Sequence, residues 1–267
     1  MSSRCRDAAA LAFVCALAAA PVAARELRVC ADPDNPPFSR ADGSGFENRI
    51  ATLVASELHA DLRYYRLPDR RGFARKTLGA GHCDVIVGVP TPAGHLLTTA
   101  PYYRGAYMFV YRSRWLRRLT SFDDPRLRSL RIGVALVGND LAATPPVHAL
   151  ARRGIVANVV GFPVAGERPA AERMMEALGE GKLDVAVVWG PQTGYFARRA
   201  VTPIALTAVP ADGTGLVEFD IGMGVRRDDR ALRDDLDGAL DRARPAIDAV
   251  LAEYAMPRAD RQQARAR

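Results

Sequence analysis

Residues 84–89, Asp-Val-Ile-Val-Gly-Val, form a nearly continuous apolar run of strand length. A strand can be apolar on both faces only where both are covered, as in a parallel strand of an α/β sheet. The chain before it fits that setting. Residues 27–31 read as a short strand, and residues 32–45, rich in Pro, Asp, Asn and Gly, as a loop. Phe46, Ile50, Leu53, Val54 and Leu58 then recur at helical spacing. Residues 62–67 follow as a second strand, and residues 73–78 as a short helix stopped by Gly79-Ala80-Gly81. The order is βαβαβ, half of an open α/β domain.

A second α/β unit follows an extended run at 107–111. Its expected strands are 130–135, 156–161, 184–189 and 203–207, with the clearest helical pattern at 169–178. A long strand is predicted at 216–225 and two closing helices near 230–242 and 245–254. The extended segments near 107–113 and 216–225 bracket the second unit. This layout predicts a discontinuous lobe 1, residues 25–112 and 222–257, with lobe 2, residues 113–221, inserted in it. Two connecting strands would form a hinge, and a cleft would lie between the lobes.

The start of the chain sets the compartment. Arg4 and Arg6 precede an apolar run at 8–20, Pro21 breaks it, and Val22-Ala23-Ala24 offers the small side chains a signal peptidase needs. This is the order of a secretory signal, too short to span a bilayer, with cleavage expected after Ala24. Phe13-Val14 before Cys15 are too bulky for a lipoprotein signal, so the expected product is a soluble periplasmic chain with no membrane insertion. Removing Arg4, Arg6 and Asp7 lowers the formal net charge of +7 by one. The remaining excess of Arg favours acidic partners, and export argues against nucleic acid. Residues 258–267 read as a flexible polar tail.

Two cysteines, Cys30 and Cys83, survive processing. In an oxidising compartment such a pair is expected to form a disulfide rather than a metal site, provided their strands are sheet neighbours. His59, His82, His95 and His148 show no metal-ligand spacing, so no metal is expected. The chain contains no Gly-x-Ser-x-Gly, His-Glu-x-x-His or phosphate-binding Gly-rich motif. It reads as a non-enzyme without a cofactor of its own.

Several motifs occur together in the order of one family. The segments Leu-Arg-Val-Cys-Ala-Asp-Pro-Asp-Asn-Pro-Pro-Phe-Ser from Leu27, Gly-Phe-Glu-Asn-Arg-Ile-Ala from Gly45, and Gly-His-Cys-Asp-Val-Ile-Val-Gly-Val-Pro from Gly81 resemble the type II periplasmic solute-binding proteins, as does Pro101-Tyr102-Tyr103. With residues 70–78 they resemble more narrowly the MoxJ/XoxJ-type accessory proteins. Those proteins are associated with pyrroloquinoline-quinone (PQQ) alcohol dehydrogenases in methanol oxidation. The resemblance implies a two-lobed type II fold and a PQQ-dependent alcohol dehydrogenase as partner. It also implies a role in that enzyme's maturation or activation. The alternative is a receptor of an ABC importer for a small non-amino-acid ligand. By the same resemblance, Pro92 stands where amino-acid receptors carry an Arg for the ligand carboxylate. Gly190 stands where they carry an Asp for its amine.

The candidate cleft residues are Asp32, Asn35, Phe38, Arg70, Arg71, Phe73, Tyr102, Tyr103, Trp189 and Gln192. Each has a plainer reading. Asp32, Asp34 and Asn35 lie past the carboxyl end of a strand, where such sheets present ligands, but also suit an Asx-turn supporting Pro36-Pro37. Arg70 and Arg71, with Arg66 and Lys76, form a cluster for an acidic surface or a carboxylated cofactor, or a solvated face. The Arg112, Arg114, Arg117 and Arg118 run reads the same two ways. Tyr102, Tyr103 and Tyr107 would stack on a ligand or pack the hinge, and Trp189 would line the cleft or fill a core.

Overall fold

The computed structural model describes residues 25–112, 118–137, 142–164, 166, 168–210 and 217–254. The expected signal segment 1–24, Arg114, Arg117 and the tail 258–267 lie outside the described residues. The first unit comprises β1 (Arg25–Ala31), α1 (Phe46–Glu57), β2 (Ala60–Arg66), α2 (Phe73–Lys76) and β3 (Val85–Thr91). Strand β4 (Tyr103–Arg112) leads to β5 (Ile132–Val137), α3 (Pro145–Ala151), β6 (Val159–Pro163), α4 (Ala170–Gly179), β7 (Val185–Trp189), α5 (Gly190–Ala197) and β8 (Ile204–Ala208). Strand β9 (Glu218–Val225) returns to α6 (Arg230–Arg242) and α7 (Arg244–Glu253).

The strands run β6-β5-β7-β4-β9-β3-β1-β2 across one mixed sheet, with β8 also on β4. β1 lies parallel to both β2 and β3, and β5 lies parallel to β6 and β7. The two halves meet at β4 and β9, which are antiparallel. β4 pairs with β9 over Tyr103–Ala106 and with β7 over Tyr107–Tyr111, so it changes neighbours between Ala106 and Tyr107. This is the two-lobed type II architecture with a two-strand hinge.

The apolar run at 84–89 is explained by cover on both faces. Val85 and Val87 join a core with Phe46, Ile50, Val54, Leu236 and Ile247, beneath α1, α6 and α7. Ile86 faces the other side, with Phe73, Leu78 and the cysteines. Val89 joins Ile86 rather than Val87, against strict alternation. The cause is a bulge: β9 pairs Gly222 with Val89 and Met223 with Val87, skipping Gly88, whose φ is +82°. Glycine adopts that conformation freely, and the extra residue shifts the side-chain phase by one. In lobe 2 the same two-sided packing recurs, with Phe109, Ile132, Val185 and Val187 on one face. Met108, Ala186 and Val188 lie on the other face, under α4. Each large side chain so buried contributes about 1.5–3 kcal/mol.

Cys30 and Cys83 form a disulfide with Cα atoms 5.5 Å apart, joining β1 to the lead-in of its neighbour β3. Two further clamps echo each other. Asp84, just before β3, accepts from Arg28 at 2.6 Å and from Arg226 at 3.0 Å. Asp184, just before β7, accepts from Arg131 at 2.8 Å. No described helix is long and apolar enough to cross a membrane.

Candidate functional site

The carboxyl ends of β1, β3 and β7 converge with the hinge strands on a cavity of about 810 Å³. Such ends are where open α/β sheets hold ligands, because helix and loop starts gather there. Of the expected residues, Asp32, Asn35, Phe38, Arg70, Phe73, Tyr103, Trp189 and Gln192 line it. Arg71 and Tyr102 do not. Arg71 is exposed off the wall, and Tyr102 is 3 % exposed inside the lobe 1 core, because it precedes β4 and turns under the sheet. Asp34 faces a separate groove of about 610 Å³ beside α4, whose cation Arg168 is already shared by Glu172 and Glu176 at 3.0 Å each.

Both readings of Asp32 hold at once. It reaches the cavity wall, yet its carboxylate accepts from the Asp34 N–H at 2.8 Å and the Asp69 N–H at 2.7 Å. That carboxylate pins two loops together and is not free. Arg70 is exposed at the rim, while Arg66 lies over the Tyr64 ring at 4.8 Å. Arg70 therefore lines the cavity at its mouth.

Aromatic rings make the hinge wall. Trp189 meets Tyr107 at 5.2 Å and Phe219 at 5.7 Å between centroids, both edge-on. Its indole lies on Gly105, where a Cβ would come within 2.5 Å of the ring. Tyr103 meets Phe46 edge-on at 6.1 Å. Burial holds the Tyr103 phenol well above its ordinary range and pushes Tyr107 up to about 12, so both stay neutral donors.

Helix α5 starts immediately after Trp189, although Gly190, Pro191 and Gly194 resemble breakers. Pro191 instead occupies a first-turn position, where its missing N–H costs nothing. Gly190 is required by crowding: a Cβ there would lie 2.4 Å from the Ala106 carbonyl oxygen. An Asp at that position has no room. At the other anchor position, Pro92 follows a cis bond and carries no donor.

Glu47 is the residue sequence reasoning missed. An acid in the first turn of a helix is ordinary, since it complements the helix dipole, so nothing in the pattern singles it out. In the structure α1 does not use it. The Asn48 side chain accepts from Gly45 N–H at 3.2 Å, and the Phe46 and Glu47 N–H groups donate to Pro37 and Phe38 carbonyls at 2.9 Å. The Glu47 carboxyl lies against the Gly88 bulge, where a Cβ would come 1.9 Å from Oε1. It lines the cavity without a hydrogen bond or ion pair among the described residues. Burial, with the charge of Asp69 adding to it, holds its carboxyl well above the usual carboxylate range.

The fold and this interlobe cavity define a periplasmic binding protein of the type II class. No family model matches the chain. It is 34 % identical to Protein MoxJ of Methylorubrum extorquens over 252 residues, covering 86 % of this chain and 81 % of that one. Protein MoxJ of Paracoccus denitrificans is 30 % identical, with 86 % and 88 % covered. The crystal structure of the periplasmic binding protein XoxJ from Methylobacterium extorquens AM1 superposes with a TM-score of 0.73 at 36 % identity, covering 86 % and 98 %. That of MxaJ from Methlophaga aminisulfidivorans MPT gives 0.77 at 25 %, covering 86 % and 99 %. The chain belongs to the MoxJ family.

Proposed function

We propose that this protein is a periplasmic, non-catalytic accessory factor for a PQQ-dependent methanol or alcohol dehydrogenase. It holds a segment of that enzyme in the interlobe cleft during maturation or activation. Lobe 1 (residues 25–112 and 222–257) and lobe 2 (residues 113–221) open and close about β4 and β9 to couple holding to release. Family membership supports the partner. The observation that carries the change of use is Gly190, packed against the Ala106 carbonyl where an amino-acid receptor needs an acid. The cavity keeps an aromatic wall suited to broad apolar contact at low entropy cost. The test is calorimetry and size exclusion of residues 25–267 with the apo and holo dehydrogenase in low salt, where charge attraction is least screened. Preferential binding of the apo enzyme is expected. No binding to either form overturns the reading.

A second reading rests on the cavity volume of about 810 Å³, which lies in the range of small-molecule sites. It makes the protein an importer receptor for a small non-amino-acid ligand. A ligand at a hundred times its dissociation constant would then stabilise the fold by about 2.7 kcal/mol in a thermal melt.

A further inference from the structure

The charges of the cavity are segregated. Its cations, Arg70 and Arg75, and the imidazole of His95 sit on exposed rim positions. Of its acids, Asp69 is also on the rim and Asp32 is committed to two backbone N–H groups. Glu47 alone lies at the floor, pressed on the Gly88 backbone with no donor reaching it. Burial first, with Glu47 adding to it, raises the Tyr103 and Tyr64 phenols, yet neither donates to Glu47: the Tyr64 hydroxyl donates to the Asn48 carbonyl at 3.3 Å. Glu47 is half-buried on the cavity wall, so a cation entering there would meet an acid with no partner of its own. It is not spent on local structure, because Asn48 already caps α1. Aromatic side chains, Tyr103, Tyr107 and Trp189, share the cavity lining with it, a residue type that can hold a cation over its ring.

We propose that the cavity floor is a subsite for one organic cation, an ammonium or guanidinium head on an aliphatic or aromatic stem, with Glu47 as its counter-ion. The stem lies along the rings of Tyr103, Tyr107 and Trp189, and the head pairs with the Glu47 carboxylate. This deepens the proposed use of the same cleft and rests on that cleft being the binding site. The cation is either a Lys or Arg side chain of the held segment or a free amine, which share this chemistry. A carboxylated ligand would meet the rim arginines but would be rejected at the floor.

The test uses matched probes on residues 25–267 at pH 8: hexylammonium, hexylguanidinium, hexanol and hexanoate, by calorimetry. The two cations are expected to bind at least tenfold more tightly than hexanol, with hexanoate weakest. Glu47→Gln keeps the side-chain shape and is expected to bring the cations down to hexanol's affinity while leaving hexanol unchanged, which also reports an intact cavity. Equal binding of all four probes, or cation preference that survives Glu47→Gln, overturns the proposal. A second arm identifies the source. Displacement of the apo dehydrogenase by saturating hexylammonium assigns the cation to a partner side chain, and undisturbed dehydrogenase binding assigns it to a free amine. Failure of the dehydrogenase to bind at all sinks the partner reading and leaves the probe result standing.

Discussion

At the scale of single residues, one glycine decides what the site can be. Gly190 leaves no space for a side chain against Ala106, so Gly190→Asp is expected to destabilise the fold by about 1–3 kcal/mol, the range for forced overpacking. It would not create amino-acid binding. A lowered urea midpoint together with silent calorimetry for α-amino acids checks both halves; an unchanged midpoint would show that α5 can move aside. Asp84 makes the second residue-scale case. Burial raises its pKa, but hydrogen bonds from Arg28 and Arg226 outweigh that and hold it below the ordinary value. Asp184 is lowered likewise, first by Arg131. A carboxylate with a depressed folded-state pKa contributes stability that is present above the unfolded value near pH 4. That contribution is lost as pH falls through the folded one. Stability should therefore fall as pH drops below about 4, and Asp84→Asn should flatten that loss while lowering the plateau by about 1–2 kcal/mol. Urea titrations across this range, on the parent and the variant, would show the difference in slope.

At the scale of elements, the disulfide ties β1 to β3 across a sequence separation of 53 residues. Closing a loop of that size restricts the unfolded chain, so reduction or Cys83→Ser is expected to cost about 2–4 kcal/mol. Thermal melts with and without dithiothreitol measure it, and coincident melts would rule out a stabilising role. Cys30, Cys83 and the run at 84–89 were legible because compartment, pairing chemistry and two-sided cover each restrict the choices. The start of helix α5 at Gly190-Pro191 was not legible, since the crowding at Ala106 is seen only in the fold. Strand β4 begins at Tyr103, earlier than the extended run at 107–111 suggests, because its first residues pair with β9, a partner remote in sequence. Most of the candidate residues reach the cavity wall because they sit on loops and strand ends that converge there. Glu47 was hidden because a first-turn acid has a cheaper explanation, which only the Asn48 contact removes. Tyr102, adjacent to Tyr103, turned into the core, and no periodicity separates the two before β4 is placed.

At the scale of the whole molecule, the lobes meet beyond the hinge as well. Tyr195 of α5 stacks on Tyr254 at 6.4 Å, and Arg198 donates to the Glu253 carbonyl at 2.6 Å. Opening the cleft has to part this contact. Tyr254→Ala is expected to shift the population toward open forms, seen as an increased radius of gyration in solution scattering without a probe. Hexylammonium should then bind more weakly, because closure costs more. An unchanged scattering curve would place the opening coordinate elsewhere. The hinge itself carries one more consequence. Ala106 is paired directly with Glu218, so the two hinge strands pass side by side between the halves of the sheet. A segment whose ends meet can be excised and its stumps rejoined by a short turn, and the remainder keeps every strand neighbour it had on that side. The chain between Ala106 and Glu218 is therefore expected to behave as a detachable cassette, which separate expression of the two parts would test.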